Sequence, residues 1–384
     1  MNLEPRPFFS TPRVIVGRGA VKELGSLVSE LGARTGTVFV VTDATLAKLG
    51  VAMRVQEYLT MGGVETALYS DITGEPTEDV AMAVVTAARR VRPSAVVGLG
   101  GGSALDMAKL AAVLATNTGV VADYFGSKRF EVPPVPLVLI PTTAGTGAES
   151  SRNAVVSRGG QKAFLSSPRL VPTAAILDPE LTLSLPPNVT AWTGMDALSH
   201  CMEAVLSTTS TPLTDAIAVR GIQLICEHLP VVYREGANLP ARAQMQVGAF
   251  LGGFALNAGM VVGHSIAYTL ANHLHLAHGL SCALALPSAI AYNATAAPER
   301  VALLASAMGV DGGGAVVVRA VRRLGTSVGI PAAWQTLGLS QEDLPALVDE
   351  CVTRYPRPNN PRPLDTTALL RLYEAAWEGL DTPA

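Results

Sequence analysis

Over its first half the chain alternates short apolar runs with segments of helical period. Arg13 to Val16 reads as a short strand after Thr11-Pro12, and Thr37 to Thr42 (TVFVVT) as a β-branched, aromatic strand ending at Asp43. Val64 to Tyr69, Ser94 to Val97 and Val135 to Ile140 have the same character. Between them, Val21 to Leu31, Leu46 to Met61 and a segment opened by Glu75-Pro76-Thr77 and running to about Arg90 read as helices, with Thr77 as a cap. Strand-helix alternation of this kind predicts a parallel sheet covered on both faces. From about Pro186 the pattern turns helical throughout: Ala191 to Leu206, Leu213 to Leu229, Ala241 to Tyr268, Leu280 to Tyr292, Val301 to Ala307 and Ala315 to Leu324. The Pro-rich stretch Pro356 to Pro363 reads as a surface loop before a terminal helix, Thr366 to Glu378. The expectation is an α/β domain over 1–185 followed by an all-α domain over 186–384.

Composition narrows the class. A chain of 384 residues exceeds one ordinary core, which agrees with two domains. It is 49% hydrophobic and 15% charged, with mean hydropathy +0.34. The apolar runs are nevertheless broken by 36 glycines and 26 prolines, and none has the length and flanks of a membrane helix. A net charge of -3 without a basic run argues against nucleic acid as a partner. Cys201, Cys226, Cys282 and Cys351 are scattered without CxxC spacing and read as reduced, packed thiols. Met1 to Pro7 has no signal-peptide pattern, so the expected compartment is the cytoplasm.

Candidate chemistry gathers in the helical half. Asn257 to Pro287 holds four of the six histidines in an otherwise apolar run. Upstream, Asp196 and His200 stand four apart in a helix-period segment and so share a face. A buried aspartate and histidine without partners are each costly, whereas joint coordination of a cation compensates both. His264 and His278 would lie roughly 21 Å apart on one straight helix, so they can reach one ion only if the helix breaks near Asn272 to His275. One carboxylate and three imidazoles suit a divalent ion such as Fe(II), Zn(II), Co(II) or Ni(II), with a position left open for a substrate oxygen.

A second signal lies at the strand ends. The strand Ser94 to Val97 runs into Gly98-Leu99-Gly100-Gly101-Gly102-Ser103, and a helix follows. That order makes a phosphate cradle, because glycine admits an anion to the backbone and the helix N-terminus offers free N–H groups. Unlike an ordinary Rossmann domain, the strand-terminal acid Asp43 precedes the glycine loop. An acid there can accept hydrogen bonds from a ribose and repels a 2′-phosphate, favouring NAD over NADP. The Thr-rich Pro141 to Gly147 segment supplies hydroxyls at another strand end, and Lys162 is a further candidate contact.

Several motifs together resemble the iron-containing (group III) alcohol dehydrogenases of the dehydroquinate synthase-like fold: GGGSALDMAK from Gly100, PTTAGTGAE from Pro141, LDPEL from Leu177, GMDALSHCMEA from Gly194, Gly263-His264, and HGLSCALALP from His278. The resemblance implies a Rossmann-like NAD(P)-binding α/β domain, a helical metal domain and an active site between them. It places metal ligands at Asp196, His200, His264 and His278, the pyrophosphate loop at Gly100, Gly101, Gly102 and Ser103, and cofactor contacts at Asp43, Thr142, Thr143, Thr146, Ser151 and Lys162. It implies Fe(II), with Zn(II) as the alternative ion, NAD as cofactor, a small alcohol or aldehyde as substrate, and a homo-oligomer, usually a dimer. Many relatives carry a histidine where this chain has Tyr268, which makes Tyr268 the candidate substrate contact; His273 and His275 match no ligand position and read as loop residues. The expected activity is metal-dependent interconversion of a primary alcohol and its aldehyde. An oxo-acid reductase of the maleylacetate type, a hydroxyacid-oxoacid transhydrogenase, a dehydroquinate synthase-like lyase and a non-catalytic cofactor-binding sensor are the alternatives.

Overall fold

The structure is a computed structural model that describes residues 5–125 and 129–380. Part of the Met1 to Pro7 segment and the last four residues of the expected helical domain therefore lie outside the described residues. The described residues divide into two compact units, residues 8–125, 129–143 and 147–183, and residues 5–7, 144–146 and 184–380.

The first unit is built on a six-stranded parallel sheet. Its strands are β1 (Val14–Val16), β2 (Thr37–Asp43), β3 (Glu65–Ile72), β4 (Ala95–Gly100), β5 (Leu137–Pro141) and, after a hairpin, β8 (Ala174–Leu177), in the order β1-β8-β5-β4-β2-β3. Side chains alternate between two buried faces, as a doubly covered parallel sheet requires. Phe39, Val41, Val96, Leu137 and Leu139 pack on one side against helices α4 (Glu78–Val91) and α5 (Gly102–Leu114). Val38, Val40, Val97, Val138 and Ile140 pack on the other against α1 (Leu24–Glu30) and α3 (Val51–Met61). The helix expected over Leu46 to Met61 is in fact two, α2 (Ala44–Lys48) and α3, because Gly50 adopts a left-handed conformation between them. Strand order reverses direction at β2, whose neighbours are β3 and β4, so the carboxyl ends of β2 and β4 flank the crevice where such sheets take ligands.

Two of the recognised motifs act here as structural ties. Asp178 of LDPEL is buried and accepts from the backbone N–H groups of Gly19, Val21 and Glu180, at 3.1 Å each, which fixes the Gly17-Arg18-Gly19 turn. In GGGSALDMAK, Lys109 is fully buried and donates to the carbonyls of Ser151 and Asn153, while Asp106 accepts from Val155 N–H at 3.0 Å. These bonds lock α5 onto a two-stranded antiparallel hairpin, β6 (Asn153–Arg158) and β7 (Gln161–Ser166).

The second unit is helical. Its helices are α6 (Pro187–Leu206), α7 (Pro212–Arg234), α8 (Leu239–Ala255), α9 (Val262–Leu274), α10 (His278–Asn293), α11 (Pro298–Met308), α12 (Gly314–Ser327), α13 (Leu344–Arg354) and α14 (Thr366–Glu378). Among the described residues α7 is the single straight helix with the length and hydropathy of a membrane span. Its exposed stripe of Arg220, Gln223, Glu227 and Arg234 and its buried face of Ala218, Ile222, Ile225 and Leu229 make it an amphipathic core helix.

The single helix expected over Ala241 to Tyr268 is broken, and α8 and α9 meet at 110°. The chain turns at Gly259, with φ of +74°, and the new N-terminus of α9 leaves its first N–H groups without helical partners. Buried side chains supply them. Glu203 on α6 accepts from Val261 N–H at 2.9 Å and His264 N–H at 3.2 Å, and Asn360 accepts from Val262 N–H at 3.1 Å. The Pro356 to Pro363 segment is thus more than a surface loop, because Asn360 is buried within it. A methyl group at position 263 would stand 2.6 Å from the Glu203 carboxylate, so the approach of that carboxylate to the helix end depends on Gly263.

Burial raises the Glu149 carboxyl to about 7, in the same buried group as Lys109 and Asp106. Between its ordinary 4.5 and about 7 the unfolded chain has lost a proton that the native state keeps, so stability on this group falls as pH rises. Glu149→Gln is expected to flatten that fall. Urea-unfolding free energies of both proteins at about pH 5 and about pH 8 check it; parallel pH dependences would contradict the assignment.

Candidate metal centre

Three helices of the second unit deliver side chains to one point. Asp196 and His200 come from one face of α6, one turn apart. His264 comes from the first turn of α9, and His278 from the first residue of α10. The break between His264 and His278 falls at His275, which is left-handed with φ of +53°. His273 lies in the last turn of α9 and pairs with Asp343 at 3.3 Å, so it is helical rather than part of a loop, and it is turned to a different partner.

The donor geometry converges on Asp196 Oδ1. Nε2 of His200 lies 3.6 Å from it, Nε2 of His278 3.7 Å and Nε2 of His264 3.8 Å. Those separations exceed a hydrogen bond. Donors about 2.1 Å from one tetrahedral ion stand roughly 3.4 Å apart, so a small contraction would seat an ion among them. Asp196 is 2% exposed, and its Oδ1 is buried without a hydrogen-bond partner. An isolated buried carboxylate costs several kcal/mol of desolvation, and here no protein hydrogen bond offsets that cost at Oδ1. Burial alone would raise the Asp196 carboxyl, but His200, His278 and His264 around it pull it below the ordinary range. Burial lowers His200 below the usual imidazole value and keeps its ring neutral, the form that ligates. Nδ1 of His200 makes no hydrogen bond of ordinary geometry, although the Gly145 backbone lies close enough to favour its charged form.

Glu203, about one turn beyond His200 on α6, completes the arrangement. It is 1% exposed, and its Oε1 accepts from His264 Nδ1 at 2.5 Å. That bond places the ring proton on Nδ1 and turns the Nε2 lone pair toward Asp196, the orientation that carboxylate–imidazole pairs impose on ligating histidines. Asp196 brings the carboxylate oxygen that no hydrogen bond satisfies, and one divalent cation would offset its charge. The side chain of His278 is 29% exposed, whereas Asp196, His200 and His264 are almost wholly enclosed, so the cluster opens on the His278 side. Cys282 also departs from expectation. It is no simple packing thiol, because its Sγ lies 3.7 Å from His264 Nε2 and 3.6 Å from His278 Nε2. Tyr268 is buried with its ring stacked on His278 at 5.8 Å and edge-on to His264 at 6.0 Å.

In the first unit, the predicted cofactor residues fall into two groups. Asp43 caps α2 through Leu46 N–H at 2.9 Å, and its Oδ2 borders Gly100. Gly100, with φ of +146°, has no room for a side chain between Asp43 and Ala104. Thr142 N–H donates to the Gly100 carbonyl at 3.0 Å, and Thr143 packs beside Gly101. Gly102 and Ser103 open α5, whose N-terminus has no side-chain cap and so keeps free N–H groups for an anion. Asp43, Gly100, Gly101, Gly102, Ser103, Thr142 and Thr143 therefore share the carboxyl rim of β2, β4 and β5. The others are engaged differently: the Ser151 hydroxyl accepts from Lys109 at 3.1 Å, and Lys162 pairs with Glu75 at 2.7 Å. Thr146 belongs to the short 144–146 segment of the helical unit.

Comparison with known proteins agrees with this architecture. The profile of the family described as "Iron-containing alcohol dehydrogenase" matches residues 11–179, and "Fe-containing alcohol dehydrogenase family, C-terminal" matches residues 190–377. The chain is 37% identical over 376 residues to long-chain-alcohol dehydrogenase 1 of Geobacillus thermodenitrificans (strain NG80-2), covering 95% of each chain. It is 34% identical over 365 residues to the NAD-dependent methanol dehydrogenase of Bacillus methanolicus, covering 92% of this chain and 95% of that one. The crystal structure of a 1,3-propanediol oxidoreductase superposes with a TM-score of 0.91 at 30% identity, over 97% of this chain and 100% of the other. These matches define the class, the alcohol/aldehyde oxidoreductases. The chain belongs to the iron-containing alcohol dehydrogenase family and is an alcohol dehydrogenase of that type.

If Glu203 orients His264, Glu203→Gln is expected to weaken binding of a divalent ion by about 10- to 100-fold. Competition against a chromophoric chelator measures it, and unchanged affinity would remove Glu203 from that role.

Proposed function

We propose that the chain interconverts a primary alcohol and its aldehyde with NAD(H), using one Fe(II) held by Asp196, His200, His264 and His278. The observation that carries this reading is the convergence of three imidazole Nε2 atoms on one buried carboxylate oxygen that lacks a hydrogen-bond partner. When bound, the ion supplies Lewis acidity at the substrate oxygen, and the nicotinamide supplies or accepts the hydride. The remaining work falls to the side chains. Glu203 holds the His264 proton at Nδ1 and keeps Nε2 available. The open side at His278 admits the substrate, and the enclosed Asp196, His200 and His264 exclude water from the rest of the centre.

Tyr268 has a different part from that of a titrating histidine. Burial pushes its phenol above the ordinary value, so it stays neutral at physiological pH and serves as a hydrogen-bonding wall against the His264 and His278 rings. On the first unit, the free N–H groups of α5 with Gly100, Gly101, Gly102 and Ser103 would receive the pyrophosphate, and Asp43 the adenosine ribose. Thr142, Thr143, Thr146, Ser151 and Lys162 are the further cofactor contacts in this reading. The negative Asp43 disfavours a 2′-phosphate, hence NAD over NADP. Zn(II) is the alternative ion. Four cysteines outside any disulfide fit a reducing compartment, the cytoplasm, and a homodimer is the assembly we attach to this function.

Anaerobic reconstitution with Fe(II), Zn(II) or Mn(II), followed by an aldehyde panel with NADH and NADPH, tests the reading. The expected result is metal-dependent NADH oxidation, with NADH preferred over NADPH and the preference narrowed by Asp43→Ser. Equal activity in metal-free protein would refute the metal role, and a preference for NADPH would refute the Asp43 assignment. Tyr268→Phe is expected to lower kcat/KM. Unchanged kinetics with every good substrate would exclude the tyrosine hydroxyl from the reaction.

A further inference from the structure

Cys282 stands one helical turn beyond His278 on α10, the same four-residue spacing that sets His200 beyond Asp196 on α6. Its thiol is buried, and its sulfur faces the Nε2 atoms of both His264 and His278 at 3.7 and 3.6 Å. It also reaches the Asp196 carboxylate. One donor atom from each of Asp196, His264, His278 and Cys282 lies within 4.8 Å of every other, so a single ion can touch all four. The unpartnered Asp196 Oδ1 is an independent sign that the same space is meant for a cation.

We propose that Cys282 is an additional ligand in this centre, binding the ion through its sulfur alongside Asp196 and the imidazoles. The inference rests on the metal reading above and extends its donor set from oxygen and nitrogen to sulfur. Coordination replaces the S–H bond by a sulfur–metal bond, and the proton leaves to solvent. The charges then balance locally: one carboxylate and one thiolate meet one divalent ion. Glu203 remains outside that balance, satisfied by His264 Nδ1–H and by the N–H groups at the start of α9. A thiolate is a softer donor than a carboxylate or an imidazole, and it tilts a site toward Zn(II) and Co(II) and away from hard ions such as Mn(II). The residue therefore sets which ion the centre retains.

Spectroscopy of the full-length protein tests this without relying on turnover. Co(II)-loaded protein is expected to show a sulfur-to-cobalt charge-transfer band in the near ultraviolet. X-ray absorption of Zn(II)-loaded protein is expected to show a sulfur scatterer at about 2.3 Å. Cys282→Ala should lose both signals while still binding an ion, and Cys226→Ala should keep both. A wild-type ion surrounded by nitrogen and oxygen alone overturns the proposal and leaves the four-ligand centre standing, as does a charge-transfer band that survives Cys282→Ala. Failure of the wild-type protein to bind any divalent ion would instead overturn the metal reading itself. Should Cys282→Ala not fold, the wild-type absorption spectrum still decides between sulfur and its absence, since Cys282 is the one thiol among the clustered donors.

Discussion

The helical unit is organised around the buried carboxylate of Asp196. A carboxylate that is 2% exposed, with one oxygen lacking any hydrogen bond, is stable only when positive charge stands close by. The imidazoles of His200, His264 and His278 stand around that oxygen and share in holding a cation there. Glu203 adds a second buried carboxylate, which accepts from His264 Nδ1 and from the N–H groups of Val261 and His264. Those bonds favour a helix start at α9, where the chain turns at Gly259 rather than running on from α8. The break brings His264 into the first turn of α9, and the free N–H groups it creates are the ones that Glu203 and Asn360 occupy. Backbone geometry, the tautomer of His264 and the position of the donors are therefore one coupled arrangement.

The sheet unit solves a different problem by simpler means. Both faces of the six strands are buried, so the irregular, polar backbone is left to the rims, and the strand-order reversal at β2 opens the crevice there. Glycine at position 100 and an uncapped α5 leave room and N–H groups for an anion beside Asp43. Asp106, Lys109 and Asp178 belong to the recognised motifs too, yet their hydrogen bonds tie loops and the hairpin together. A motif in this chain mixes residues for chemistry with residues for architecture.

Much of this is legible in the sequence, for identifiable reasons. Alternation of strand and helix period along residues 13–140 marks a parallel sheet because both faces must be apolar. Asp196 and His200 stand out through their helical spacing. The break between His264 and His278 is required by arithmetic on the helix rise. The kink between α8 and α9 is hidden because its residues, Leu256 to Val262, are nearly as apolar as a helix interior; its cause lies in Glu203, more than fifty positions upstream. Glu203 itself has one visible signal, an acid seven residues after Asp196 on the same apolar helix, without a basic neighbour. Cys282 is obscured although it follows His278 by four residues, since a lone thiol in an oily segment ordinarily packs. Asn360 is concealed by the prolines around it, which read as exposed loop.

The central claim is that Asp196, His200, His264 and His278 grip one ion. Anomalous diffraction at the iron edge from crystals of Fe(II)-loaded protein tests it most directly. One strong peak per chain is expected, about 2.0–2.3 Å from Asp196 Oδ1 and from the three Nε2 atoms. A loaded crystal with no peak among those atoms, or with its iron held by other residues, would contradict it.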